Sequence, residues 1–425
     1  MIHPHWTQLL QWLDIPAPPV SPKESARTGY ALVADRPLTP NQPLFTIDTD
    51  KILNIKTLTP LYPNHRLSAT QLIALHLVLS RANKREFGPY VATLPTNFDF
   101  HPLSWYTEGS ERALYLPPSH ANSLKMLAVR FCNDREASYR YMVDSGLAIG
   151  LPRDEMNARY LWAWLCVNTR CIFHHLNEAC SDPDNLSLVP ILDFANHTIR
   201  LPSMTPQDKT SQICHGASRT CKAGSFTLLA PADIPTGVGE ELYLKYGSHC
   251  NRVLFVEYGF VLRRSETEQP HCEVEVDDLV ESMFEKQGRF GKWAKNILQA
   301  HDYWKDYTLH VAYPSFRLVT ALRLHAMLLV RHKTIAVGDE KFLSPWLATI
   351  TGQSDRISTE IESQWLTTLV DKICQPIITR AEIGLNRLRG KEGLGLDDVK
   401  VLWEEEMYIV QCICENVRNG GELYI

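Results

Sequence analysis

The segment VPILDFANHT, residues 189–198, closes an aliphatic run on Asp193, Asn196 and His197. Three polar side chains at the end of a stretch suited to burial each need a partner, because a buried polar group without a hydrogen bond costs about 1–3 kcal/mol. Further on, GEELYLKYGSHCNRVLFVEYGFV (239–261) carries two Tyr-Gly pairs, Tyr246-Gly247 and Tyr258-Gly259, with Asn251 between them. A glycine after each tyrosine lets the chain turn sharply and holds an aromatic ring, with a phenol oxygen to spend, at a fixed point. Two such points could frame one pocket. Taken alone, turn chemistry at strand ends explains the pattern better than a site does.

These residues must be positioned by the elements around them. GYALVADRPLTPNQPLFTID (29–48) has short apolar runs broken by Pro37, Pro40 and Pro43, which predicts short strands joined by turns. SATQLIALHLVLSRANK (68–84) predicts a well-buried helix with Ser68 or Thr70 as its N-cap. The texture stays helical to about residue 185, through SLKMLAVRFCNDREASYRYMVD and MNARYLWAWLCVNTRCIFHHL. Residues 186–262 revert to short apolar segments bounded by Pro, Gly and Asn, including VLFVEYGFVL, and read as strands. From about 275 the chain reads as helical to its end. Strands near 29–55 cannot make a satisfactory sheet alone, so they are expected to pair with those of 186–262 across a helical insert.

Composition narrows the function. With 425 residues, 44% of them hydrophobic and 21% charged, the chain can bury the cores of two or three domains. A net charge of −5 offers no global attraction to phosphate, so neither direct nucleic-acid binding nor an anionic membrane is expected. The first residues lack the basic start and apolar run of a secretory signal, and no segment offers eighteen uncharged apolar residues, so an intracellular aqueous compartment, cytoplasmic or nuclear, is expected. Eleven scattered cysteines without CxxC repeats read as reduced, packed thiols. Cys214, His215 and Cys221 match no standard zinc spacing, so no metal is assigned.

In their order, SLVPILDFANH, GEELYLKYG, Asn251 and YGFV resemble the SET-domain protein lysine methyltransferases, and within them the subgroup typified by the plant Rubisco large-subunit methyltransferase. TGYALVADRPLTPNQPLFTI, GPYVATLPTNFDFHPLSW, WAWLCVNTRCIF and PSFRLVTALRL extend the resemblance over roughly 25–425. It implies an α+β fold: a β-rich SET domain at 25–262 split by a helical insert at about 61–160. A helical extension at 1–24 precedes it, and an all-helical substrate-binding domain at 275–425 follows. It also implies a knot-like threading that brings 193–197 beside 246–251.

The activity implied is methyl transfer from S-adenosyl-L-methionine to a lysine presented by a nonhistone protein substrate, a ribosomal or translation protein among the candidates. Such a displacement needs a neutral amine in line with the methyl group, and a free lysine with a pKa of about 10.4 must be deprotonated by its surroundings. By resemblance Tyr246 is the catalytic tyrosine and also borders the cofactor. Asn196, His197, Thr28, Gly29, Tyr30 and Arg170 hold the cofactor, and Arg170, Asp193, Tyr258 and Phe260 line the substrate side. Structural roles stand beside these: a turn-capping Asn196, a hydrogen-bonded His197, an ion-paired Arg170, a core Phe260. The entry turn reads GYAL where the family has Gly-x-Gly-Leu, so Ala31 weakens cofactor binding if that position needs positive φ or very close approach to the cofactor. Histidine methylation and a noncatalytic SET-fold scaffold are the alternatives.

Overall fold

The structure, a computed structural model, describes the chain apart from residues 26–28, 84–86, 148–149, 151, 178, 201–202, 209–224, 266–270, 312, 332–339, 422 and 424–425. Two compact units form. One comprises Met1–Thr107 and Lys125–His249, the other Glu108–Leu124 and Cys250–Ile425, the division falling inside the helix Pro118–Asp144.

The first unit holds the split sheet. Pro43–Asp48 pairs antiparallel with Ser225–Leu229, which pairs in turn with Thr205–Asp208. Leu53–Asn54 pairs with Leu186–Leu188, and Ile172–Phe173 flanks the same strand. The early strands therefore do find their partners beyond the insert, and the isolated bridges Val33–Glu241 and Leu38–Thr236 add to the pairing. Gly29–Ala34 also pairs along its length with Val20–Ser25, so the expected N-terminal helical extension contains the helix Trp6–Leu13 and then a strand.

Between the strands, Ala69–Asn83 packs on Arg153–Arg170. Ser68 starts the first of these helices: Gln71 N donates to Ser68 Oγ at 3.3 Å and Ser68 N to Gln71 Oε1 at 3.1 Å, a reciprocal cap. His76, fully buried in this helix, is satisfied by Tyr62 Oη at 2.8 Å and Ser80 Oγ at 3.0 Å. Trp162 and Trp164 bury their rings and donate their indole N–H groups to the Pro95 carbonyl and the Asp134 carboxylate.

The second unit is helical around one apolar core that includes Leu318, Leu322, Trp346, Leu369 and Ile413. Its principal helices include Phe316–Arg331, Gln375–Leu388 and Leu396–Arg418. Two departures from expectation occur here. VLFVEYGFVL forms a short helix, Asn251–Val253, continued by a wide turn, Leu254–Tyr258, in place of a strand. Leu254, Phe255 and Val256 are all buried, and a short apolar run buried on every side carries no period that separates strand from helix. Thr308–His310, inside the region expected to be all-helical, pairs antiparallel with Glu273–Glu275 at its start. No disulfide joins Cys166 to Cys171 or Cys412 to Cys414, which are free thiols.

Candidate active site

The run at 189–197 does not enter as one continuous strand. Leu192 N donates to the Pro190 carbonyl at 2.8 Å, closing a three-residue turn about Ile191 at φ 68°. A β-branched residue at positive φ is strained by roughly 1–3 kcal/mol, and full burial of the isoleucine helps hold it. The turn feeds a short 3-10 segment, Leu192–Phe194, that carries Asp193 inward, and the chain then extends through Asn196–His197.

Asn196–His197 runs parallel to Tyr243–Leu244, with Asn196 opposite Tyr243 and His197 opposite Leu244. Two remote polar segments are thereby fixed side by side. Tyr246 N donates to His197 Nδ1 at 3.1 Å, and Tyr246 Oη donates to the Ala195 carbonyl at 2.8 Å. Because Nδ1 accepts, His197 is the neutral tautomer protonated on Nε2, and burial pushes its pKa down to about 4. The imidazole therefore adds no positive charge here at neutral pH.

Asn196 Nδ2 donates to Glu241 Oε1 at 2.7 Å and to the Tyr30 carbonyl at 3.3 Å, while Tyr243 Oη donates to Glu241 Oε2 at 2.8 Å. One carboxylate thus ties both strands of the parallel pair. Tyr30 is held from its other side, its ring packed against His3 and Phe194 with centroids 4.6 and 6.1 Å away. Gly29, which opens the same strand, has φ 80°, a conformation glycine adopts without strain. Ala31 lies in the strand, paired with Lys23, and is not among the positive-φ residues, so alanine costs no backbone strain at that position.

Arg170 ends its helix with Nη1 donating to the Asp193 carbonyl at 2.5 Å and lying 3.8 Å from its carboxylate. Burial pushes the Asp193 pKa up to about 6, opposed by Arg170. Among the described residues neither carboxylate oxygen of Asp193 has a hydrogen-bond partner, and neither does the hydroxyl of fully buried Tyr90. Burial, and then the nearby Asp193 charge, hold the Tyr90 phenol well above its ordinary value.

The first unit therefore brings together Gly29, Tyr30, Asn196, His197 and Tyr246 around the parallel pair, with Arg170 and Asp193 joined by their own contact. Thr28 lies outside the described residues, as do Cys214, His215 and Cys221. Tyr258 and Phe260 belong to the second unit, where Gly259 between them takes φ 83° and their rings stand 6.2 Å apart. Asn251, in the same unit, clasps Leu262 through both backbone groups, each at 2.8 Å. Gly247 serves another purpose than turning: a Cβ there would stand 2.4 Å from the His249 ring. Sequence reasoning missed Glu241 and Tyr90. Glu241 had a signal, since residues 241 and 243 share one face of an extended strand. Tyr90, inside an apolar helix turn, had none.

The architecture is that of a SET domain. The structure matches Rubisco LSMT bound to AdoMet with a TM-score of 0.64, covering 98% of this chain and 92% of that one at 16% identity. The SET domain of LSMT bound to lysine and AdoHcy matches equally, at 0.64 over 98% and 91% with 17% identity. In fold the chain matches the SET domain of Rubisco LSMT. In sequence it is 28% identical over 298 residues, 69% of its length, to ribosomal lysine N-methyltransferase set11 of Schizosaccharomyces pombe. It is 29% identical over 178 residues, 40% of its length, to ribosomal lysine N-methyltransferase 2 of Saccharomyces cerevisiae. Human SET domain-containing protein 4 is 27% identical over 272 residues, 61% of this chain. These matches span 67%, 35% and 54% of the respective relatives. No family model matches the sequence.

Proposed function

We propose that this chain is an S-adenosylmethionine-dependent protein-lysine N-methyltransferase whose substrate is a nonhistone protein of the ribosome or translation apparatus. The observation that carries the reading is the parallel pairing of Asn196–His197 with Tyr243–Leu244, which holds Tyr246 by its backbone and its hydroxyl. The two ribosomal lysine methyltransferases among the relatives support the substrate class. No described helix is long and apolar enough to cross a membrane. A cytoplasmic or nuclear location follows from the proposed substrate.

The donor set suits a cationic cofactor. The carbonyls of Tyr30 and Ala195 and the carboxylate of Glu241 concentrate negative potential around Asn196, while His197 stays neutral. S-adenosylmethionine would supply an electrophilic methyl group on a sulfonium centre. Gly29 and Tyr30 would meet the cofactor through their backbone, His197 through its backbone, and Asn196 through Oδ1, its amide nitrogen being spent on Tyr30 and Glu241. Tyr246 donates its hydroxyl hydrogen bond to the Ala195 carbonyl, so the phenol presents oxygen lone pairs to the reacting groups and orients methyl and amine. Asp193, its pKa raised by burial and countered by Arg170 beside it, takes a substrate-side role. For Thr28, Tyr258 and Phe260 the roles rest on the resemblance alone.

Calorimetric titration with S-adenosylmethionine and S-adenosylhomocysteine tests the cofactor seat. Micromolar binding that Asn196→Ala weakens at least about tenfold, followed by labelled methyl transfer into purified ribosomal proteins, is the expected result. A folded protein that binds neither compound would overturn it. The alternative of a scaffold without turnover has lost its sequence support in one respect: Ala31 occupies ordinary strand backbone.

A further inference from the structure

In the second unit, HCEVE (271–275) and TLH (308–310) alternate strictly between core and surface. Cys272, Val274 and Leu309 are buried, so His271, Glu273 and His310 share the outer face, with His310 directly opposite Glu273 in the antiparallel register. One ligand atom from each of the three lies within 4.8 Å of the others, and His271 Nε2 is 3.6 Å from Glu273 Oε2. We propose that His271, Glu273 and His310 form a transition-metal site that takes Zn(II), bound by two imidazoles and one carboxylate with water completing the shell.

Three observations favour this over a plain surface ion pair. The ligand types and number match a three-residue zinc set, and two imidazoles select zinc-like metals over calcium or magnesium. Ligand atoms on one tetrahedral zinc stand roughly 3.3 Å apart, so the His271–Glu273 separation is already near closure and His310 needs only a small side-chain rotation. The outer shell is also built: Glu273 Oε1 is held by Arg252 Nη2 at 2.9 Å and by the Cys250 thiol at 3.0 Å, which fixes the carboxylate and leaves Oε2 toward His271. Thr308 Oγ1 stands 3.3 Å from His310 Nε2, a hydroxyl partner that helps orient the imidazole. Glu275, on the same face, adds negative charge, paired with Arg252 at 3.6 Å. A metal here would join the two ends of a segment containing the helices Asp277–Glu285 and Gly288–Ala300, a clip independent of methyl transfer.

The test is calorimetric titration of Zn(II) chloride into chelator-stripped full-length protein, with Co(II) absorption as a second readout. The expected result is one site of micromolar affinity, a tetrahedral Co(II) band and a raised melting temperature, all lost in His271→Ala and His310→Ala. His271 is half exposed, so His271→Ala is expected to fold, checked by circular dichroism, and to weaken binding at least about tenfold. Zinc binding of unchanged affinity and stoichiometry in folded His271→Ala would overturn the proposal, placing the metal elsewhere, and so would wild-type binding no tighter than millimolar.

Discussion

Tyr246 commits its hydroxyl proton to the Ala195 carbonyl and its backbone N–H to His197, so the ring is fixed before any ligand arrives. Such fixation separates two effects of Tyr246→Phe. On the role proposed for Tyr246, methyl transfer should fall about 100-fold or more, the usual loss when a preorganised polar group at a reacting centre is removed. Stability should drop only about 1 kcal/mol, the worth of one hydrogen bond, and cofactor affinity should change little. Single-turnover rates beside calorimetry would check this, and an unchanged rate would remove Tyr246 from the chemistry. Glu241 predicts the reverse pattern. It accepts from both Asn196 and Tyr243, so Glu241→Ala should cost roughly 2–4 kcal/mol in urea denaturation and weaken cofactor binding with it. A variant as stable as wild type would show that the parallel pair does not depend on this carboxylate.

Elements in both units are set by local devices whose loss can be measured. The reciprocal Ser68–Gln71 cap starts the helix that packs on Arg153–Arg170, and Ser68→Ala should cost about 1 kcal/mol of unfolding free energy. In the second unit Gly384 allows its helix to approach Trp403, whose ring a Cβ would meet at 2.3 Å. Alanine normally favours a helix over glycine by about 1 kcal/mol, so the sign of Gly384→Ala discriminates. Steric conflict between Gln375–Leu388 and Leu396–Arg418 should win and destabilise by about 1–3 kcal/mol. A melting temperature at or above wild type would mean that the indole shifts at no cost.

Across the whole molecule the buried titratable groups make stability depend on pH. In the second unit burial pushes Glu405 up to about 7 and Glu406 up to about 8, although Asn251 bonds the first at 2.6 Å and Ser119 the second at 3.3 Å. His120 lies 3.7 Å from Glu406 and, itself buried, is held down to about 3, so it stays neutral beside the acid. A folded pKa above the ordinary 4.5 gives stability that is complete below that value and lost as pH rises through 7–8. In the first unit His197 and Asp193 act below this window and in opposite senses. The lowered His197 destabilises the fold as pH falls from 6.5 toward 4, and the raised Asp193 destabilises it as pH rises toward 6. The unfolding free energy from urea denaturation should therefore fall between pH 6 and 8, by on the order of 1 kcal/mol per pH unit, and flatten in Glu405→Gln/Glu406→Gln. An equally steep fall in the double variant would assign the dependence to other groups.

Sequence alone determined the split of the β pieces around a helical insert and the helical texture of both units, because hydrophobic period and caps are local signals, whereas the meeting of 193–197 with Tyr246 was implied by the family resemblance and not by any local pattern. The resemblance in DFANH and ELYLKYG supplied the candidate residues, but not what each touches. Tertiary structure decided that Asn196 spends its amide on Glu241 and Tyr30, that the Ile191 turn aims Asp193 inward, and that Ala31 sits in ordinary strand backbone while Gly29 carries the positive φ. It also turned VLFVEYGFVL into a helical segment, since a run buried on every face is satisfied by whichever conformation the surrounding core accommodates. Such outcomes depend on partners far away in the chain: Asn196 meets Glu241 and Pro43–Asp48 meets Ser225–Leu229 only once the chain has folded, and no local periodicity encodes a contact of that range.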